Sequence, residues 1–135
     1  MSHAPCFRLS AAILIGLAWS RGSAAAQQNA AVPETVMVTL HAKPGGEEEL
    51  ARVIANHWTT ARRMKLVHDS PHVSVRGVED GNKPYFIEIF TWRDAQVPDA
   101  APPEIQKIWD DMNRLVEARD GHAGLEFVVV AVAVQ

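Results

Sequence analysis

The chain has one cysteine, Cys6, in 135 residues. No intramolecular disulfide can hold it together, so a disulfide-framework fold is excluded. It has no surplus of positive charge: 13 basic side chains stand against 16 acidic ones, for a net charge of −3. That balance leaves no electrostatic footprint for nucleic acid. There is no internal repeat and no low-complexity tract beyond the N-terminal region. A disordered tail, a collagen-like repeat or a coiled coil is therefore not the main story. What remains is 47% hydrophobic and 21% charged, an ordinary composition on a length that suits one core.

The first 26 residues read as a secretory signal. Arg8 supplies a positive start, Ala11 to Trp19 an apolar run of nine residues, and Ala24-Ala25-Ala26 a small-residue cleavage site. Nine residues rise only about 14 Å as a helix, short of the roughly 30 Å of a bilayer core. That shortness counts against the competing reading, an uncleaved anchor helix. Cleavage after Ala26 would leave 109 residues with no cysteine and a net charge of −5. The expectation is a secreted or periplasmic protein with no membrane attachment after leader cleavage and no nucleic-acid partner. Residues 27–34 are a flexible lead-in, and residues 35–135 form the domain.

Hydrophobic periodicity then divides the domain. Thr35 to Ala42 alternates, with Val36, Val38 and Leu40 on one side and Met37, Thr39 and His41 on the other. Lys43-Pro44-Gly45-Gly46 ends that strand. Glu47, Glu48 and Glu49 favour a helix start, and Leu50, Val53, Ile54, His57, Ala61 and Met64 form one helical stripe to about Lys65. Ser70-Pro71 breaks the pattern. His72 to Glu79 and Tyr85 to Trp92 read as strands around a turn. Pro102-Pro103 opens a second helix to about Asp120, with Ile105, Ile108, Trp109, Met112, Leu115 and Val116 on its stripe, and Gly121 as C-cap. Leu125 to Val134 is a last strand, apolar on nearly both sides. The order is β-α-β-β-α-β, a ferredoxin-like α+β fold: a four-stranded antiparallel sheet with both helices on one face.

The register of the middle hairpin follows from parity. A five-residue loop, Asp80 to Pro84, sets Glu79 opposite Tyr85, Arg76 opposite Glu88 and Ser74 opposite Phe90. Val73, Val75, Ile87 and Ile89 then make a clean apolar surface for the helices. The other, open face receives Met37, Phe86, Phe90 and Trp92, with His72 near Trp92. So apolar a face without helices marks an interface.

The element order, the opening VTLHAKPGGEEELARVI and the strand YFIEIFTW resemble the antibiotic biosynthesis monooxygenase-like domains of the dimeric α+β barrel superfamily. The most specific pieces are Lys43-Pro44-Gly45 and the Glu-x-x-x-Trp of Glu88 and Trp92. The resemblance implies a homodimer of two sheets packed into a barrel, with a small pocket between sheet and helices or within the barrel. It departs from many members after the third-strand tryptophan, where Ala-Pro-Pro stands in place of a histidine. The first strand has no asparagine, so haem breakdown is not implied.

On this reading His41 lies near Glu88 and acts as general base with Glu88 as its orienter, while Arg76 steadies an anion. The alternative is a strand-end histidine and a structural Arg–Glu pair across a dimer interface. Met37, Thr39, Phe90 and Trp92 would line the pocket. His57 either lines that pocket or is a satisfied core histidine. No metal is expected, because Pro71 spoils the His68-x-x-x-His72 spacing, and no cofactor. Gly121-His122-Ala123-Gly124 follows a helix instead of opening one, so it is no phosphate cradle, and no serine-centred triad is evident. The expectation is an exported protein that binds a small apolar or aromatic molecule. As an enzyme it would be a cofactor-independent monooxygenase acting on an aromatic phenol or quinol. As its alternative it would be a non-catalytic ligand-binding or dimeric interaction protein.

Overall fold

The computed structural model describes residues 30–133, so the leader and its cleavage site lie outside the described residues. Strand β1 (Glu34–His41) leads to helix α1 (Glu47–Arg63), then to β2 (Val67–Glu79) and β3 (Lys83–Trp92). A short 3-10 turn (Val97–Ala100), helix α2 (Pro103–Leu115) and strand β4 (Leu125–Val129) complete the chain. The sheet is antiparallel in the order β2-β3-β1-β4. This is the ferredoxin-like arrangement expected from the hydrophobic pattern.

Boundaries moved where tertiary contacts outweighed local pattern. Helix α2 stops at Leu115, not near Asp120, because Val116 turns extended and bridges Ala42. Glu117 N–H then donates to the His41 carbonyl at 2.9 Å. Strand β4 is shorter than the apolar run, ending at Val129. Strand β2 begins at Val67, before Pro71, with a register irregularity between Val67 and His72. A proline at an irregularity on an edge strand costs no ladder bond.

The hairpin loop is three residues, not five. Gly81 (φ 81°) and Asn82 (φ 59°) take left-handed conformations, so the turn closes early and Lys83 pairs with Glu79. The register shifts by two: Arg76 faces Phe86, Ser74 faces Glu88, and His72 faces Phe90. An even shift preserves which residues share a side, so the parity holds while the Arg76–Glu88 pairing does not.

The larger correction is which side the helices cover. Phe86, Glu88, Phe90 and Trp92 are buried under them with Val36 and Leu40, whereas Val73 (44% exposed) and Val75 (48%) lie on the open face. Two apolar clusters fill the space between sheet and helices. One gathers Leu40, Leu50, Ile54, Phe86, Ile108 and Met112; the other gathers Val36, Ala61, Val67, Phe90, Trp92 and Ile105. The aromatic rings go under the helices because they fill the wide gap between a sheet and two cylinders. The flat Val and Ile set is left to the other face. Glu88 sits on β3 between Phe86 and Phe90, at the seam of the two clusters.

Candidate active site

At that seam the helices do not close fully on the sheet. A cavity of about 330 Å³ lies there, with Val36 and Val38 from β1, Glu88, Phe90 and Trp92 from β3, and Leu125 and Phe127 from β4. His57 of α1 and Trp109, Met112 and Asn113 of α2 form its roof, with Pro98 and Asp99 beside them. The wall is apolar and aromatic, with few polar groups, as suits a small flat ligand.

Two of those polar groups are buried. Glu88 is 2% exposed, and burial pushes its carboxyl up to about 7. Its Oε1 lies 3.3 Å from His72 Nε2, and among the described residues Oε2 has no hydrogen-bond partner. His57 is 4% exposed. Burial, with His72 as a smaller cause, pulls its imidazole down to about 4, so the ring is neutral at neutral pH. Trp109 Nε1–H donates to His57 Nε2 at 3.1 Å. With Nε2 occupied as an acceptor, the neutral ring carries its proton on Nδ1. A carboxyl near neutrality and an imidazole N–H donor thus share one apolar wall. That pairing can remove a proton and stabilise the resulting anion.

The expected site residues divide between the two faces. Glu88, Phe90, Trp92 and His57 line the cavity. Met37 and Thr39 do not: Met37 pairs with Ile89 and Val128, and Thr39 with Ile87 and Glu126, on the face away from the helices. His41 pairs with Tyr85, three residues along β3 from Glu88 and on the opposite side, so the expected His41–Glu88 pair does not form. His41 Nδ1 instead lies 3.4 Å from Glu79 Oε1, within ion-pair reach but not aligned for a hydrogen bond. Arg76 lies over the Phe86 ring and reaches Glu47 and Glu48 at the start of α1. It steadies no anion in the cavity.

Sequence reasoning passed over three groups. Trp109 stands on the apolar stripe of α2 with no polar role expected, yet its indole N–H sets the His57 tautomer. His72, expected only to lie near Trp92, faces Phe90 and is the partner of Glu88. Arg119, only 3% exposed in its side chain, donates to Glu79 Oε2 and the Pro84 carbonyl, each at 3.0 Å, and to the Ala42 carbonyl. It braces the end of the sheet by His41, outside the cavity lining. Its only sequence signal is a charge just past an amphipathic helix. Among the described residues, no group of three or more His, Cys, Asp or Glu side chains could hold a metal ion.

No protein-family model matches the sequence. No curated protein matches it either. Solved structures do. The chain is similar to a mutant of SnoaB, a cofactor-independent oxygenase from Streptomyces nogalater, at 15% identity and TM-score 0.56, over 76% of this chain and 95% of that one. It is similar to a proposed antibiotic biosynthesis monooxygenase from Bacteroides thetaiotaomicron, at 16% identity and TM-score 0.54, over 76% and 90%. A dimeric ferredoxin-like protein from Jannaschia matches at 20% identity and TM-score 0.53, over 75% and 100%. At these identities the likeness is one of fold, and the fold is that of antibiotic biosynthesis monooxygenase-like domains.

Proposed function

We propose that this chain, built on the fold of antibiotic biosynthesis monooxygenase-like domains, binds a small aromatic phenol or quinol in the cavity between sheet and helices. There it acts as a cofactor-independent monooxygenase with Glu88 as the proton acceptor. The observation that carries this reading is a buried carboxyl, held near pH 7 and opening on an apolar aromatic cavity. At neutral pH a useful fraction of Glu88 is ionised, and its conjugate acid is weak enough to drive proton removal. The Nδ1–H of neutral His57 is the donor available to the developing oxyanion.

The resulting electron-rich anion reacts with molecular oxygen, the co-reactant. On an anthrone-type substrate, a ring CH2 becomes C=O: the carbon loses two hydrogens and gains one oxygen atom, and the second oxygen atom leaves as water. Oxygen uptake with such a substrate tests the reading. E88Q is expected to lose roughly a hundredfold or more in rate, and H41A to keep the wild-type rate. Equal rates for E88Q and wild type would remove Glu88 from the mechanism. Tight binding with no oxygen uptake would leave a ligand-binding protein in place of an enzyme.

The same reading includes a homodimer and export. The open face carries the row Val73, Ile89, Met37 and Val128 across all four strands, next to Val75 and Ile87. An apolar face of that extent is best satisfied by a second copy of the same sheet. Export with cleavage after Ala26 predicts a mature protein that begins at Gln27 when it is recovered from outside the cytoplasm and sequenced from its N-terminus.

A further inference from the structure

A buried base that accepts a proton at each turnover must return it to solvent, and Glu88 has little direct access: its side chain is 3% exposed. His72 is its one hydrogen-bond partner among the described residues, with Nε2 3.3 Å from Oε1. The His72 side chain is 25% exposed, so the pair runs from the cavity wall to the surface. The imidazole is also held. It lies flat on the Trp58 indole, with ring centroids 3.7 Å apart and planes within 6°. Three successive elements thus contribute one group each: Trp58 from α1, His72 from β2 and Glu88 from β3.

We propose that His72 is the positioning residue for Glu88 and the carrier of its proton to and from solvent, with Trp58 holding the imidazole in line. The proposal rests on the reading of Glu88 as proton acceptor. When Glu88 is ionised, His72 Nε2–H donates to Oε1. When it is protonated, exchange with water shifts the ring proton from Nε2 to Nδ1, and the Glu88 O–H donates to the bare Nε2. The proton then moves onto the ring, and the imidazolium releases the Nδ1 proton to water. That loss restores the ionised carboxylate and leaves the ring as the Nε2–H tautomer from which it started. Among the described residues Nδ1 has no hydrogen-bond partner, and the His72 side chain is 25% exposed.

The surrounding charges suit a neutral carrier. Burial and the nearby Arg62 guanidinium both lower the His72 pKa. Arg62 lies by the Trp58 ring and is paired with Asp69 at 2.9 Å. His57 of α1, neutral at neutral pH, is coupled to His72, and Asp99 lines the same cavity as Glu88. An imidazole held below its ordinary value passes its extra proton on to water instead of keeping it.

The test uses H72F, which keeps a ring against Trp58 but deletes both nitrogens, and W58L, which keeps His72 without its support. Circular dichroism and Tm report whether each is folded. The carboxyl carbon of Glu88, assigned by its absence in E88Q, is titrated by 13C NMR. In H72F its midpoint should rise, because the ionised form loses a donor; an unchanged midpoint overturns the proposal. In dilute buffer, oxygen uptake by H72F should fall roughly tenfold or more and recover with added imidazole, with W58L intermediate. Wild-type uptake by H72F overturns the carrier role. If the wild-type protein takes up no oxygen, the catalytic reading of Glu88 fails by itself. The NMR midpoint then still decides the His72 pairing.

Discussion

Glu88 and His57 make opposite demands on the fold as pH changes. The folded-state pKa of Glu88 is raised from 4.5 to about 7. Between those values the folded state binds more protons than the unfolded one, so stability falls as pH rises and levels off above 7. His57 is lowered from 6.5 to about 4. Across that window the unfolded state binds more protons, and stability rises with pH. Each shift corresponds to about 3 kcal/mol, so in the wild type the two slopes largely cancel. Substituting either residue should unmask the other. Urea unfolding of E88Q should show stability climbing from pH 4 to 6.5, and H57F should show it falling from pH 4.5 to 7. Parallel profiles for both variants and the wild type would mean that neither group titrates as buried. At this scale the sequence showed His57 on an apolar stripe and Glu88 in an apolar strand, but not that they meet. Their separation of 31 positions is closed only by α1 lying across the sheet.

Among the elements, the ends of β1 and α2 depend on one side chain. Arg119 joins the stretch after α2 to the β2–β3 hairpin through Glu79 and the Pro84 carbonyl, and to β1 through the Ala42 carbonyl. Its hydrogen bond also holds the Glu79 carboxyl below the usual range. R119M should cost about 3 kcal/mol, because it strands two carbonyls and a carboxylate that the guanidinium satisfied. Urea denaturation would measure the loss, while the Glu88 titration midpoint should stay near the wild-type value. A variant as stable as the wild type would show that water replaces the guanidinium at no cost. The elements themselves were largely legible, because β1, α1 and α2 each have one apolar side. Strand β3 was not. Tyr85 to Trp92 is apolar on both sides, so alternation could not say which side the helices take. The expected site came apart for that reason, with Met37, Thr39 and His41 facing away from Glu88, Phe90 and Trp92.

For the whole molecule, the open sheet face is where the proposed homodimer would form. Val73, Val75 and Val128 are 44%, 48% and 49% exposed in a single chain, which is costly to leave in water. V75E sets a charge in the middle of that face. If two sheets pack there, it should weaken the dimer at least a hundredfold, which is about 3 kcal/mol for a carboxylate taken out of water. Sedimentation would then show a monomer where the wild type is a dimer. An unchanged sedimentation profile would place the interface elsewhere. Because the cavity lies on the other face, ligand binding by the V75E monomer separates assembly from the site.

The sequence by itself determined the order of elements, the antiparallel sheet and which residues share a side of each strand. Those follow from local periodicity and turn chemistry, which neighbouring residues carry. Only the tertiary structure decided which side the helices cover, and with it the membership of the site. That choice depends on how aromatic and branched side chains fill the space between sheet and helices. It is a packing property of residues far apart in the chain, and no local pattern encodes it.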